Sequence, residues 1–184
     1  MYIQTQETPN PNTLKFIPGV EVIKKGSYHF DKVDDDYSRS PLAKELFKIE
    51  GIRSVFFGRD FISITKEKKV KWEKIKSDVL PELVDHFIAG IPIVEEKEFV
   101  SKKVKKKKHS KVEEQIIELI NTRVRPAVAG DGGDIIYEKF ENGVVYLKLQ
   151  GACSNCPMSS MTLKHGIENM LKHHIPEIES VESV

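Results

Sequence analysis

Two residues in this chain have the types and spacing to do chemistry: Cys153 and Cys156, its only cysteines, separated by two residues. A disulfide closing so short a loop would constrain the unfolded chain very little, so a structural staple explains the pair poorly. A reducing compartment keeps both as thiols. They lie in Gly151-Ala152-Cys153-Ser154-Asn155-Cys156-Pro157, between a predicted strand and a predicted helix. Pro157 suits the first helical position, where its missing N–H costs nothing. Cys156 is then expected at or near the N-cap, facing unpaired backbone N–H groups and the positive end of the helix dipole. Both favour thiolate, the form that ligates metals and attacks disulfides. Gly151 lets a bulky ligand or another backbone approach closely. The spacing leaves three readings open: an iron–sulfur or other thiolate metal site, a dithiol redox couple, or an inert pair.

Ligand counting favours the first reading. Zinc and iron–sulfur clusters take four protein ligands, and one chain supplies two sulfurs. Histidines do not complete the set well. His165 lies nine residues past Cys156, on the far side of the helix. His173 and His174 fall in the last helical turn, where a cation complements the dipole. His29, His86 and His109 lie outside this part of the chain. The economical arrangement is a homodimer contributing two thiolates per chain, with an exposed cluster at its interface. Neither sulfur is then expected to be needed for packing. The redox reading keeps its standing because strand, cysteine pair, helix is also the thioredoxin-like order, with Pro176 ahead of the last strand. Against it, a helix and a hairpin precede the motif rather than a βαβ unit.

The elements that must position the pair read as follows. Val112, Ile116, Leu119, Ile120 and Val124 mark one helical face that is expected to end near Arg125-Pro126. Asp131-Gly132-Gly133-Asp134 is a helix stop and strand entry, with positive φ expected at both glycines. It lacks the ligand alternation of a calcium-binding EF-hand. Strands over 135–140 and 144–149 flank Asn142-Gly143, a tight-turn signal for an antiparallel hairpin. A helix over 157–174 and a strand over 178–184 complete an α-β-β-α-β order. The first part of the chain predicts short strands over 2–7 and 13–17, and a helix opened by Ser40-Pro41 with Leu42, Leu46 and Phe47 on one face. A hairpin is expected around Gly58-Arg59-Asp60, and a helix over 72–87 that Pro81 kinks or splits. Phe56, Phe57, Phe61, Trp72 and Phe87 read as core. No cluster of candidate catalytic groups stands out here.

The fold class is therefore α+β, with two small α/β-layer domains at 1–94 and 111–184 joined by a lysine-rich link at 95–110. That link carries Lys102-Lys103-Val104-Lys105-Lys106-Lys107-Lys108 and no apolar face, so it cannot offset its own ordering entropy. Across 184 residues, 29 basic and 28 acidic side chains leave a net charge of +1, which argues against a nucleic-acid binder. No apolar run approaches the roughly 20 residues that span a bilayer, so no membrane role is expected. The first residues lack the order of a signal or transit peptide, so secretion is not expected; the initiator methionine favours a bacterial cytoplasm, with the processed form of a mitochondrial matrix protein as the alternative.

Several stretches resemble a known family. Leu119 to Val184 resembles the NifU-like C-terminal domain of the Nfu iron–sulfur scaffold proteins. The resemblance rests on Arg125-Pro126, Asp131-Gly132-Gly133-Asp134, Gly143-Val144-Val145, Leu147-Lys148-Leu149, Gly151-Ala152-Cys153 through Cys156-Pro157, Thr162-Leu163-Lys164 and Gly166-Ile167-Glu168. The first unit resembles the Nfu N-terminal domain through Thr8-Pro9-Asn10-Pro11-Asn12-Thr13-Leu14-Lys15-Phe16, Ser40-Pro41-Leu42-Ala43 and Phe56-Phe57-Gly58. Asn155 and Met158 stand where the family more often has serine. The resemblance implies a non-enzymatic carrier that receives a 4Fe–4S cluster, or a 2Fe–2S form, from upstream assembly machinery and delivers it to apo-proteins. It also implies Cys153 and Cys156 as the cluster ligands, shared across a homodimer. A thioredoxin-like thiol–disulfide oxidoreductase is the rival, and an iron or zinc chaperone a third.

Overall fold

The computed structural model describes residues 1–33, 36–95, 110–154 and 157–184. The chain divides into two compact units, Met1–Phe99 and Val100–Val184. The charged block expected as a link lies, over 96–109, outside the described residues. Both units mix helices with one antiparallel or mixed sheet, so the α+β class holds.

In the first unit β1 (Gln4–Glu7) and β2 (Thr13–Ile17) pair antiparallel, and β4 (Ile52–Phe57) and β5 (Ile62–Lys66) form the expected hairpin with Phe57 opposite Ile62. A strand the sequence did not announce, β3 (Tyr28–Asp31), adds to β4 at the edge, giving the order β1-β2-β5-β4-β3. Helix α1 (Pro41–Lys48) starts where Ser40 caps it: Ser40 Oγ accepts from Ala43 N–H at 3.1 Å. The same hydroxyl donates to the Ile93 carbonyl at 2.6 Å, tying the segment after the second helix back to the first. Leu42, Leu46 and Phe47 are buried, as their spacing requires. Helix α2 (Trp72–Ala89) is one element rather than two. Pro81 sits on its exposed face, where the carbonyl it cannot serve stays open to water. Phe56, Phe57 and Phe61 are buried, and Trp72 and Phe87 pack at the margin of the core.

The second unit runs α-β-β-α-β, but its first helix does not stop at Arg125-Pro126. Helix α3 (Lys111–Leu119) passes through one π turn (Ile120–Val124) into α4 (Arg125–Gly130). In the wide turn Arg125 N–H donates to the Ile120 carbonyl, five residues back, and Pro126 follows at the first turn of α4, where no N–H is required. The proline is thus absorbed instead of ending the helix. Strands β6 (Gly133–Glu141) and β7 (Val144–Gly151) are longer than expected and turn at Asn142 (φ 50°) and Gly143 (φ 77°), both left-handed as a two-residue primed turn demands. Helix α5 (Pro157–His174) has the expected bounds, and β8 (Ser180–Ser183) pairs parallel to β7. Ile116, Ile120, Val124 and Val128 from the first helical stretch share one core with Ile135, Val145, Leu147, Ile167, Leu171 and Val181.

Candidate functional site

The end of the β6–β7 hairpin away from its turn carries the first cysteine. Gly133 opens β6 directly opposite Gly151, which closes β7 with φ 68°. That left-handed residue turns the chain out of the strand. Ala152 N–H donates to the Gly132 carbonyl at 3.1 Å, and Ser154 reaches back to the Gly151 carbonyl through its N–H (3.2 Å) and its Oγ (2.9 Å). Cys153 is held inside this turn and is only 3% exposed, packed in the apolar core of the unit. The expectation that neither sulfur serves packing is therefore corrected for Cys153: burial of its side chain follows from the turn that holds it. Helix α5 begins at Pro157, so Cys156 immediately precedes it in sequence; Cys156 and its expected N-cap position lie outside the described residues.

The Asp131–Asp134 motif explains how Cys153 fits. Only Gly132 has the expected positive φ, 83°. Gly133 is needed for a different reason. A Cβ there would lie 2.6 Å from the Gln150 carbonyl oxygen and 2.9 Å from Cys153 Sγ, so the thiol rests against a backbone that only glycine leaves bare. Asp134, 7% exposed, takes a two-pronged bond from Arg125: Nε to Oδ1 at 2.8 Å and Nη2 to Oδ2 at 2.7 Å. Its Oδ1 also accepts from Ile135 N–H at 2.8 Å. The hydrogen bond to Asp134, more than the charge itself, holds the Arg125 guanidinium above its ordinary value. The pair latches the end of the helical stretch to the start of β6. Sequence reading gave Arg125-Pro126 and Asp134 no joint role; the π turn that brings them face to face has no simple sequence signature.

His165, His173 and His174 are exposed on α5, His29 and His86 belong to the first unit, and His109 lies outside the described residues. Among the described residues, no three of histidine, cysteine, aspartate and glutamate gather into a group that could hold a metal ion.

An α+β unit with a cysteine pair at its strand-to-helix junction in sequence, preceded by a separate five-stranded unit, defines a two-unit thiol-bearing protein. Residues 3–90 match the family described as "Scaffold protein Nfu/NifU N terminal", and residues 116–182 match the "NifU-like domain". The chain is 50% identical over 184 residues to the protein named "NFU1 iron-sulfur cluster scaffold homolog, mitochondrial" of Drosophila ananassae, covering 100% of this chain and 64% of that one. To the Homo sapiens protein of the same name it is 50% identical over 185 residues, covering 100% of this chain and 72% of the relative. A solution structure of a NifU-like protein from Saccharomyces cerevisiae is 27% identical and covers 53% of this chain and 87% of its own, with a TM-score of 0.49. The chain belongs to the Nfu family. These relatives are named mitochondrial, so the bacterial cytoplasm expected from the first residues finds no support. No helix among the described residues is long and apolar enough to cross a membrane.

Proposed function

We propose that this chain is a non-catalytic iron–sulfur cluster scaffold. It binds a 4Fe–4S cluster through Cys153 and Cys156 of two copies and passes it to apo-proteins. The observation that carries the reading is the arithmetic of sulfur: two cysteines in the chain against four ligand positions on a cluster. Thiolates are soft ligands suited to iron–sulfur cargo, and a cluster held by only two bonds per chain can be exchanged one thiolate at a time. Gly133 supports it further, because its bare backbone leaves room for Cys153 Sγ where a Cβ would lie 2.9 Å away. The buried Cys153 thiol adds a step: loading requires its turn to move outward from the core. Family likeness supports the cargo, and the names of the relatives support a mitochondrial compartment. The proposed domain division, 1–94 and 111–184 about a link at 95–110, assigns cluster binding to the second part alone.

The test is anaerobic reconstitution with iron and sulfide, followed by iron content and solution mass. The bridged dimer gives about two irons per chain on a species of twice the chain mass. About four irons on a monomer would sink the shared cluster. A colourless monomer that cycles between dithiol and disulfide would instead establish the thioredoxin-like rival.

A further inference from the structure

The loop over 8–12, between β1 and β2, has no part in the cluster reading, yet side chains hold it closely. Asn10 N–H donates to Thr8 Oγ1 at 3.2 Å, and Asn12 N–H to Asn10 Oδ1 at 3.0 Å. Trp72, the first residue of α2, donates its indole N–H to the Pro11 carbonyl at 3.1 Å. Lys66, the last residue of β5, reaches Asn12 Oδ1 with its Nζ at 3.2 Å. Exposed Pro11 and half-buried Trp72 thus mark a fixed, partly apolar place on the surface of the first unit.

Lysines surround it. Between β5 and α2 the chain turns through residues 67–70, closed by Val70 N–H on the Glu67 carbonyl at 3.2 Å, with Lys68 and Lys69 exposed at the tip. Lys71 follows, next to Trp72. Over 66–76 six lysines stand against two carboxylates, Glu67 and Glu73. Of the six, Lys74 alone pairs with a carboxylate among the described residues, Glu50 at 3.0 Å.

A solvated face would account for the exposed lysines. It does not account for Lys66, which is only 8% exposed. Its Nζ meets Asn12 Oδ1 and the Glu67 carbonyl (3.4 Å) and lies 5.8 Å from the centroid of the Trp72 ring. All three are neutral, so a buried cation stands without a counter-ion, an arrangement that is costly unless an anion arrives. Lys71 is a second local misfit. It stands at the N-cap of α2 without a capping bond, where an aspartate or serine would serve the free N–H groups and a cation opposes the dipole.

The geometry points to a docking surface for an acidic segment of a partner protein, with carboxylates on Lys66 and the Lys68–Lys71 rim and an apolar side chain against Pro11 and Trp72. A half-buried aromatic inside a charged rim is the anatomy of a protein interface. Lys66 lies over the indole and the ring packs against the core, which leaves it poorly placed to stack a nucleic-acid base. Residues 66–76 expose no large apolar side chain for insertion into a bilayer. The inference uses no residue of the second unit, so it stands or falls apart from the cluster-bridging reading.

Trp72 is the only tryptophan of the chain, so its fluorescence and its indole N–H resonance report on this surface and not on the lysine block over 102–108. The test is a titration of the full-length, ¹⁵N-labelled chain with a capped hexapeptide of alternating glutamate and leucine, against the same peptide with glutamine for glutamate. The expected result is a change in Trp72 fluorescence with shifts of its indole N–H and of the amides of 66–73, the glutamine peptide binding at least about tenfold more weakly. The double variant Lys68→Gln, Lys69→Gln, on an exposed turn, is expected to fold and to lose about tenfold in affinity. Lys66→Met keeps the stem without the charge and is expected to lose at least about tenfold while melting no lower than the parent. Lys71→Asp supplies the missing cap, so it should raise the melting temperature and weaken the peptide together. Equal binding of the glutamine peptide, variants that bind as the parent does, peptide shifts that leave Trp72 unmoved, or no binding at millimolar peptide would each overturn the assignment. So would phosphatidylserine vesicles or a uridine hexanucleotide that move the Trp72 signal at a lower concentration of anionic groups than the peptide does, since the surface would then serve a membrane or a nucleic acid.

Discussion

Gly133→Ala is the most informative single change in the second unit. The added methyl would sit 2.6 Å from the Gln150 carbonyl oxygen and 2.9 Å from Cys153 Sγ, both far inside van der Waals contact. The carbonyl belongs to the β6–β7 ladder and cannot step aside without loosening the Gly133–Gly151 end of the hairpin. Overpacking of this kind costs about 1–3 kcal/mol, and contact with backbone rather than a flexible side chain places it at the upper end. Because φ here is not in the left-handed region, alanine regains about 0.5–1 kcal/mol through the unfolded chain. The net loss is about 2 kcal/mol, which for a unit of this size lowers its melting temperature by roughly 10 °C. Calorimetry of the apo chain, with hydrogen exchange on peptides from 133–151 to assign the transition, reads it directly. In the double variant with Cys153→Ala the sulfur contact is gone, leaving the carbonyl clash and the milder 3.3 Å approach to the Cβ of residue 153, so the added alanine should cost about 1 kcal/mol less than in the parent. A Gly133→Ala chain melting within about 2 °C of the parent would refute the packing argument.

Cys153→Ser should abolish cluster loading outright, since a dimer loses two of its four thiolates. It should also destabilise the apo unit by about 1–2 kcal/mol, because a hydroxyl replaces a thiol in an apolar core; urea titration followed in the second unit measures it. Arg125→Gln leaves Asp134 with less than its two-pronged partner, and since the arginine side chain is 40% exposed the loss is held to about 1–2 kcal/mol. Hydrogen exchange should show it first at the start of β6. His86 has a folded value below its unfolded one, so the unfolded chain binds the extra proton. Stability of the first unit is then complete above the ordinary histidine value and falls as pH drops from there toward the lowered one. Thermal melts from pH 7.5 to 5 check the slope, which His86→Phe should flatten.

What could be read from the residues was local. Asn142-Gly143 and Gly58-Arg59-Asp60 announced their hairpins because turn chemistry is written in two or three adjacent positions. Ser40-Pro41 announced α1 for the same reason. The four-residue edge strand β3 has no turn pair of its own and gains its identity from pairing with β4, so nothing in Tyr28–Asp31 alone marks it. Pro126 read as a helix end, whereas the π turn that accommodates it is set by packing of Ile120 and Val124. At the site, the cysteine types and spacing were legible, but the burial of Cys153 was not. It depends on Gly133 lying across the sheet, a contact between residues twenty positions apart. His86 was hidden by its position among the buried residues of α2, three past Leu83, where an apolar residue would ordinarily stand.

The carbonyl of Gly143 accepts from both Glu179 N–H (2.8 Å) and Ser180 N–H (3.3 Å), and a Cβ on Gly143 would strike Glu179. The tight turn is therefore also the receptor for the final strand. This imposes an order of assembly. The hairpin closes through a turn of two residues, whereas β8 must return across the whole of α5 to find β7, a far longer loop to close. During synthesis the cysteine turn and α5 leave the ribosome before the strand that completes their sheet. For that interval both sulfurs lie in a chain whose core is unfinished, and the speed with which Gly143 captures residues 179 and 180 sets how long they stay there.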